Sequence, residues 1–366
     1  MGFAEFVGHQ RTVRALRQML GAGRVPHSML FTGPRGIGKY TLARMFAQAA
    51  NCERLKDDFC GACDPCRRIG LLADPEPLVE QGLAERGESA DSATVERIPL
   101  ILETHRDVWA IVPDPVRRQN RVLRPVIRVG QLRAVQRAAY FEPICRRRVF
   151  ILDGAETMRW DLANIFLKIL EEPPETATLI LLAPSPDLLL PTIRSRCLHF
   201  PLAPLADEQV EALLKKRSGM KPSERRLAAQ FAEGSPGLAL RMDVEQATQL
   251  RRDVLGLLER AVEARSYTEL FAETSQLVKN HKESFENALE VFYSVLTDLL
   301  ELTSGPKSCV LRNPALRQEL EALSRKIDLD WVAQAVAGVD QLHGRLRRNI
   351  NRQLGLDAVA VTLASR

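Results

Sequence analysis

The chain has 366 residues, 45% of them hydrophobic and 27% charged, with a formal net charge of +5. That length predicts two or three domains, and the balance excludes wholesale disorder. No apolar run approaches the ~20 residues of a membrane-spanning helix, and Met1–Gln10 lacks a basic segment leading into an apolar core, so a cytoplasmic protein without membrane contact is expected.

Val13, Leu16, Met19 and Leu20 recur at helical spacing, and Met29-Leu30-Phe31 reads as a short buried strand. Gly33-Pro34-Arg35-Gly36-Ile37-Gly38-Lys39 follows at once, and Thr41–Ala50 resumes as helix. After a cysteine cluster, residues 70–104 carry acids, Pro and Gly with little periodicity and are expected to form an inserted surface segment. A helix over about Val129–Tyr140 precedes a second buried strand, Arg148–Leu152, with Asp153 at its end. Met158–Leu170 is apolar at helical spacing and stops at Pro173-Pro174, and Thr178–Ala183 makes a third strand. Strands alternating with helices predict an α/β core whose parallel sheet is covered on both faces. Beyond Pro201 and Pro204, short helices over Asp207–Lys216 and Pro222–Glu233 suggest a small helical domain. From Val244 onward the pattern is that of a helical bundle, interrupted at Ser304-Gly305-Pro306.

Gly33-x4-Gly38-Lys39 between a strand and a helix is the pattern of a phosphate-binding loop. Its glycines let backbone N–H groups face phosphate oxygens, and its Lys neutralises the outer phosphates. The next residue should carry a small hydroxyl for Mg²⁺. Here it is Tyr40, and Thr41 comes one residue late, turned about 100° around the helix. The strand ending at Leu152 should likewise close on an acidic pair, Asp for the metal and Glu for the attacking water. Asp153 is present, but Gly154 follows, and Glu156 lies too far along to replace the missing base. Hydrolysis and Mg²⁺ binding are therefore not expected; whether ATP or ADP binds without turnover stays open.

Of seven cysteines, four cluster as Cys52-x7-Cys60-x2-Cys63-x2-Cys66. Four thiolates in loop spacing favour a closed, structural Zn²⁺ site, with an iron–sulfur cluster as the alternative chemistry. Charge is also uneven. Between Arg117 and Arg148 stand ten Arg against the single acid Glu142, a local +9 that leaves −4 for the rest. Such a field suits phosphates or an acidic partner.

Five segments together resemble bacterial clamp-loader subunits, AAA+ proteins of the DNA polymerase III holoenzyme. They are Phe6–Gln10, His27–Lys39, the four-Cys cluster, Leu167-Lys168-Ile169-Leu170-Glu171-Glu172-Pro173-Pro174 and Ser195-Arg196-Cys197, and the resemblance spans about residues 3–240. It implies an AAA+ α/β core over 1–203 with a zinc module at 52–66, a helical lid over 204–243 and an all-α oligomerising collar over 244–366. In that family the ATP-hydrolysing gamma/tau subunits keep an intact phosphate loop and acidic pair, whereas delta-prime subunits commonly have degraded versions. Tyr40, Gly154 and Leu238, where an Arg often stands, resemble the second kind; a gamma/tau-like ATPase is the alternative. The resemblance further implies that Arg196 is an arginine finger, reaching in trans to the γ-phosphate on a neighbouring subunit. Lys168 and Arg128 fall where family members face the DNA backbone. Arg146–Arg148, in contrast, also read as cations paired within the fold. Implied partners are gamma/tau and delta subunits, the beta sliding clamp through the complex, and primed DNA; polymerisation belongs to other subunits.

Overall fold

A computed structural model describes residues 2–87, 91–115, 117–118, 121–122, 125–158, 160–263, 266–281, 285–305, 311–346 and 351–365. Arg124, Pro306 and Cys309 lie outside the described residues. The chain separates into two compact units, one of residues 1–216 with 234–238 and one of 217–233 with 239–366. This two-way division assigns the start of the expected lid to the first unit and most of its remainder to the second.

The first unit opens with helix α1 (Gln10–Gly21), strand β1 (Ser28–Thr32) and helix α2 (Lys39–Ala50). There follow α3 (Asp64–Gly70), α4 (Glu76–Arg86), α5 (Ser92–Arg97), β2 (Leu102–His105) and β3 (Val108–Ile111). A two-stranded antiparallel ribbon, β4 (Arg117–Arg118) with β5 (Arg121–Val122), leads to α6 (Val129–Ala139), β6 (Arg148–Leu152), α7 (Trp160–Glu171) and β7 (Ala177–Ala183). The short turn α8 (Pro191–Arg194), β8 (Leu198–Pro201) and α9 (Asp207–Arg217) complete the series.

Six strands form one sheet in the order β2-β3-β6-β7-β1-β8. β3, β6, β7, β1 and β8 run parallel, and β2 pairs antiparallel with β3 at one edge. The expected parallel sheet is present over five strands, and the sequence pattern did not disclose the antiparallel β2 added at its edge. Four-residue strands such as β2 and β3 carry too few alternations to register as a pattern. The segment 70–104 is corrected as well: it holds α4, α5 and most of β2 and buries Leu72, Val95, Leu100 and Leu102, so it is built into the unit.

Every residue of β1 and β7 is buried, which explains their unbroken apolar sequence, because neither face meets water. Successive side chains point to opposite faces. Leu30, Phe150, Leu152, Leu179 and Leu181 share one core cluster with Leu132 and Val135 of α6 and Phe166 and Ile169 of α7. Met29, Phe31, Val149, Ile151, Ile180 and Leu182 alternate with them and are equally buried. The phosphate loop and Asp153 both lie at C-terminal strand ends, where open α/β sheets place their ligands.

In the second unit, α10 (Pro222–Phe231) is followed by the end of α11 (Pro236–Arg241), then α12 (Val244–Glu263), α13 (Tyr267–Asn280) and α14 (Phe285–Ser304). α15 (Arg317–Ser324), α16 (Leu329–Leu346) and α17 (Arg352–Ala364) close it. Leu and Val side chains of α12, α14, α16 and α17 make a single core cluster. The buried Arg251 stacks 3.7 Å over the Phe231 ring and donates from Nε to Asn313 Oδ1 at 2.8 Å. Asn313 in turn donates to the buried Asp298. Burial without such partners would cost several kcal/mol per ion, so the chain supplies each polar group with a neighbour.

Candidate functional site

The phosphate loop keeps its shape. Gly36 and Gly38 adopt φ of 74° and 106°, the left-handed region that glycine tolerates. A Cβ on Gly36 would meet the Leu238 backbone nitrogen at 2.7 Å, and Gly237 donates its N–H to the Gly36 carbonyl at 2.8 Å. Leu238, singled out in the sequence, therefore packs on the loop as apolar cover and offers no cation. Lys39 Nζ folds back to donate to the carbonyls of Gly33 (2.6 Å) and Pro34 (2.8 Å). Burial holds its ammonium below the usual lysine range, against the opposing pull of Asp153 and Glu156.

Two positions differ from a hydrolytic site. The Tyr40 phenol is pushed above its usual range by burial and by Asp153, and its oxygen has no hydrogen-bond partner among the described residues. Thr41 is exposed one position further along α2. The Asp153 carboxyl is pushed up by burial, opposed by Lys39, the Gly154 N–H and Arg35. Gly154 takes φ of 68°, and a Cβ there would meet Pro113 Cγ at 2.7 Å. The position of the missing base is thus a left-handed turn that suits glycine and would strain a glutamate.

The second feature is the corner after β7. Pro191 starts α8, and its single turn ends where Arg196 and Cys197 donate backbone N–H groups to Ile193 and Arg194. Ser195 Oγ donates to the Thr192 carbonyl at 3.2 Å, while burial raises the Cys197 thiol to about 12, marking it as a packing residue. Arg196 projects from this corner and is about a third exposed. It donates to the Thr192 carbonyl (2.9 Å) and pairs with Glu171 Oε1 (2.7 Å). Two segments quoted separately from the sequence, around Leu167–Pro174 and Ser195–Cys197, therefore touch. Lys168 is exposed on α7.

Arg128 is placed differently. Its backbone N–H caps α6 by donating to Gln131 Oε1 (2.8 Å), and its guanidinium lies 3.9 Å from the fully buried Asp114, which also pairs with the buried Arg86 at 2.8 Å. The other positive charges divide similarly. Arg146 donates to the carbonyls of Leu55 and Glu53, Arg147 to the Ala177 carbonyl and the Thr178 hydroxyl, and Arg148 to the carbonyls of Arg106 and Glu142. All three serve the fold, whereas Arg133 and Arg137 are exposed on α6.

The third feature is the cysteine knuckle. The Sγ atoms of Cys52, Cys60, Cys63 and Cys66 all lie within 4.8 Å of one another, around a left-handed turn at Gly61. Backbone N–H groups of Ala62 (3.4 Å) and Cys63 (3.3 Å) point at Cys60 Sγ and hold its thiol down at about 6. Clustered soft donors supported by N–H groups fit tetrahedral zinc. A second cluster, His105, Asp107 and Cys145, also brings its donor atoms within 4.8 Å of one another, but these are engaged in hydrogen bonds within the fold. His105 Nδ1 accepts from the Asp107 N–H (3.1 Å), which leaves the proton of the neutral ring on Nε2, 3.6 Å from Cys145 Sγ. The Asp107 carboxylate already accepts from Ile144 and Cys145. Sequence inspection missed this trio because Cys145 lies 40 residues from His105.

These features define an α/β phosphate-loop protein with a cysteine knuckle and a charged corner after β7. The sequence profile of the family described as "DNA polymerase III, delta subunit" matches residues 8–206, and the chain belongs to that family. It is 30% identical over 70% of its length to DNA polymerase III subunit tau of Escherichia coli, covering 36% of that protein. It is 32% identical over 58% of its length to subunit gamma/tau of Mycobacterium tuberculosis, covering 31% of that protein. The chain thus spans about a third of the length of these relatives. A solved gamma-subunit-related protein of Thermotoga maritima aligns over 97% of this chain and 99% of its own at 18% identity, with a TM-score of 0.41.

Proposed function

We propose that this chain is the delta-prime subunit of a DNA polymerase III clamp loader, which helps place the sliding clamp on primed DNA without hydrolysing ATP itself. The observation that carries this reading is the pairing of a well-formed but chemically altered phosphate loop with an intact Ser195-Arg196-Cys197 corner. Tyr40 replaces the metal-binding hydroxyl and Gly154 the base, while Arg196 stands at an exposed corner. Catalytic charge is then exported to a neighbour: Arg196 stabilises the phosphoryl group transferred on the adjacent ATPase.

On this reading the chain has a core over 1–203, a lid over 204–243 and a collar over 244–366, which joins gamma/tau and delta subunits in the cytoplasm. Zinc at Cys52, Cys60, Cys63 and Cys66 is structural. Lys168 supplies a sequence-independent phosphate contact to DNA. Arg128 is the weaker DNA candidate, since it faces Asp114.

The test is reconstitution with gamma/tau and delta subunits. Arg196→Ala is expected to lower turnover at the neighbouring site by about a thousandfold or more, leaving assembly intact on size-exclusion chromatography. Unchanged ATPase in an intact assembly overturns the finger role. The names of the relatives and the retained Gly33, Gly38 and Lys39 favour a second reading, an ATP-hydrolysing gamma/tau-like subunit. Sustained ATP turnover by the isolated chain would establish it.

A further inference from the structure

Arg196 and Glu171 form an ion pair at 2.7 Å between elements 25 residues apart. The finger's other partner, the Thr192 carbonyl, belongs to its own turn and comes with the fold of the corner. Glu171 is the last residue of α7, delivered from outside. A carboxylate there opposes the partial negative charge of the helix C-terminus, so its location is electrostatically unfavourable without a cation beside it. Arg194, the corner's other cation, is matched within its own loop by Asp187 at 2.6 Å. Each guanidinium at the corner thus has a carboxylate against it.

A finger works by adding positive charge where negative charge develops on the transferred phosphoryl group. A carboxylate in contact with the guanidinium cancels much of that charge, and a γ-phosphate arriving at Arg196 would repel Glu171. The two anions compete for one cation. Both side chains are substantially solvated, at 36% and 49% exposure, so the pair is weak enough to exchange. Lys168 stands one turn before Glu171 on the same side of α7. A phosphate bound by Lys168 would place further negative charge beside Glu171.

We propose that Glu171 is a counter-ion latch on Arg196, occupying the guanidinium in the free subunit and yielding it to the phosphate of a neighbouring nucleotide. This inference rests on the finger role of Arg196 proposed above. In the loader reconstituted with gamma/tau and delta subunits, Glu171→Gln keeps the shape of the side chain and removes its charge. ATP turnover without DNA is then expected to rise, by at most about fivefold, the equilibrium factor of an exposed ion pair of ~1 kcal/mol. Glu171→Ala should give the same rise, Glu171→Asp should not, and the double variant Glu171→Gln/Arg196→Ala should fall to the level of Arg196→Ala alone. Merely structural damage at this corner would lower turnover. Arg196→Ala lowering ATPase while both neutral Glu171 variants leave it unchanged or lower overturns the latch and spares the finger. Arg196→Ala without effect overturns both.

Discussion

Helix α2 joins two loops that differ in how shape and chemistry go together. At its N-terminus the phosphate loop preserves geometry: Gly36 and Gly38 stay left-handed, and Lys39 still reaches the loop carbonyls. Its chemistry has changed, with a buried phenol at Tyr40 and a bare turn at Gly154. At the C-terminal end the cysteine knuckle preserves both, with four thiols brought together and N–H groups aimed at Cys60. A loop can keep its shape for packing after its reaction is gone, whereas a metal knuckle has no stable shape apart from its ligands. The phosphate loop's shape is still required because Gly237, Leu238 and Leu202 pack directly on its glycines.

The knuckle should therefore respond most strongly to loss of chemistry. Cys63→Ser, or prolonged chelation, is expected to lower the melting midpoint by roughly 10 °C or more, since 1 kcal/mol is worth about 2–4 °C in a unit of this size and a structural zinc contributes several times that. Neighbouring contacts would loosen with it, because Asn51 Oδ1 accepts from Arg146 and Arg147 and Asp58 accepts from Phe3. Calorimetry with metal analysis checks this; a folded, metal-free protein of unchanged midpoint contradicts it. In the phosphate loop region, substitutions that offend shape should cost more than those that alter chemistry. Gly154→Glu introduces the missing carboxylate but forces a left-handed turn against Pro113, at a cost of about 1–3 kcal/mol in denaturant unfolding. The smallest effect is expected for Tyr40→Ser. It restores the metal-binding hydroxyl, yet ATP turnover by the isolated chain should stay at background because position 154 still lacks a base. Turnover appearing in this variant would show that the loop's chemistry is merely masked.

Much of the site was legible because its signals are local. The phosphate loop, the cysteine spacing and the Ser195-Arg196-Cys197 corner are contiguous strings, and strands β1, β6 and β7 announced themselves through unbroken apolar runs. β2, β3 and β8 did not, since four residues with partial exposure, as in Leu198–Pro201, carry no period. Charge misled more than hydrophobicity. The ten arginines of 117–148 looked like one field, but Arg128 turns to Asp114 and Arg146–Arg148 bind carbonyls of the fold. Sequence counts charges without showing where a flexible four-bond side chain finds its partner.

What the sequence determined by itself is the set of chemical groups: a phosphate loop with neither the expected metal-binding hydroxyl nor the adjacent catalytic base, four clustered thiols and an arginine in a three-residue motif. Tertiary structure alone decided how those groups are engaged. It set Gly154 in a turn closed to side chains, assigned most of the clustered arginines that it describes in full to either the fold or the surface, and brought Glu171 to Arg196 across 25 residues. Short-range spacing encodes which groups are present, but ion pairs and close backbone approaches form between segments that only folding makes neighbours.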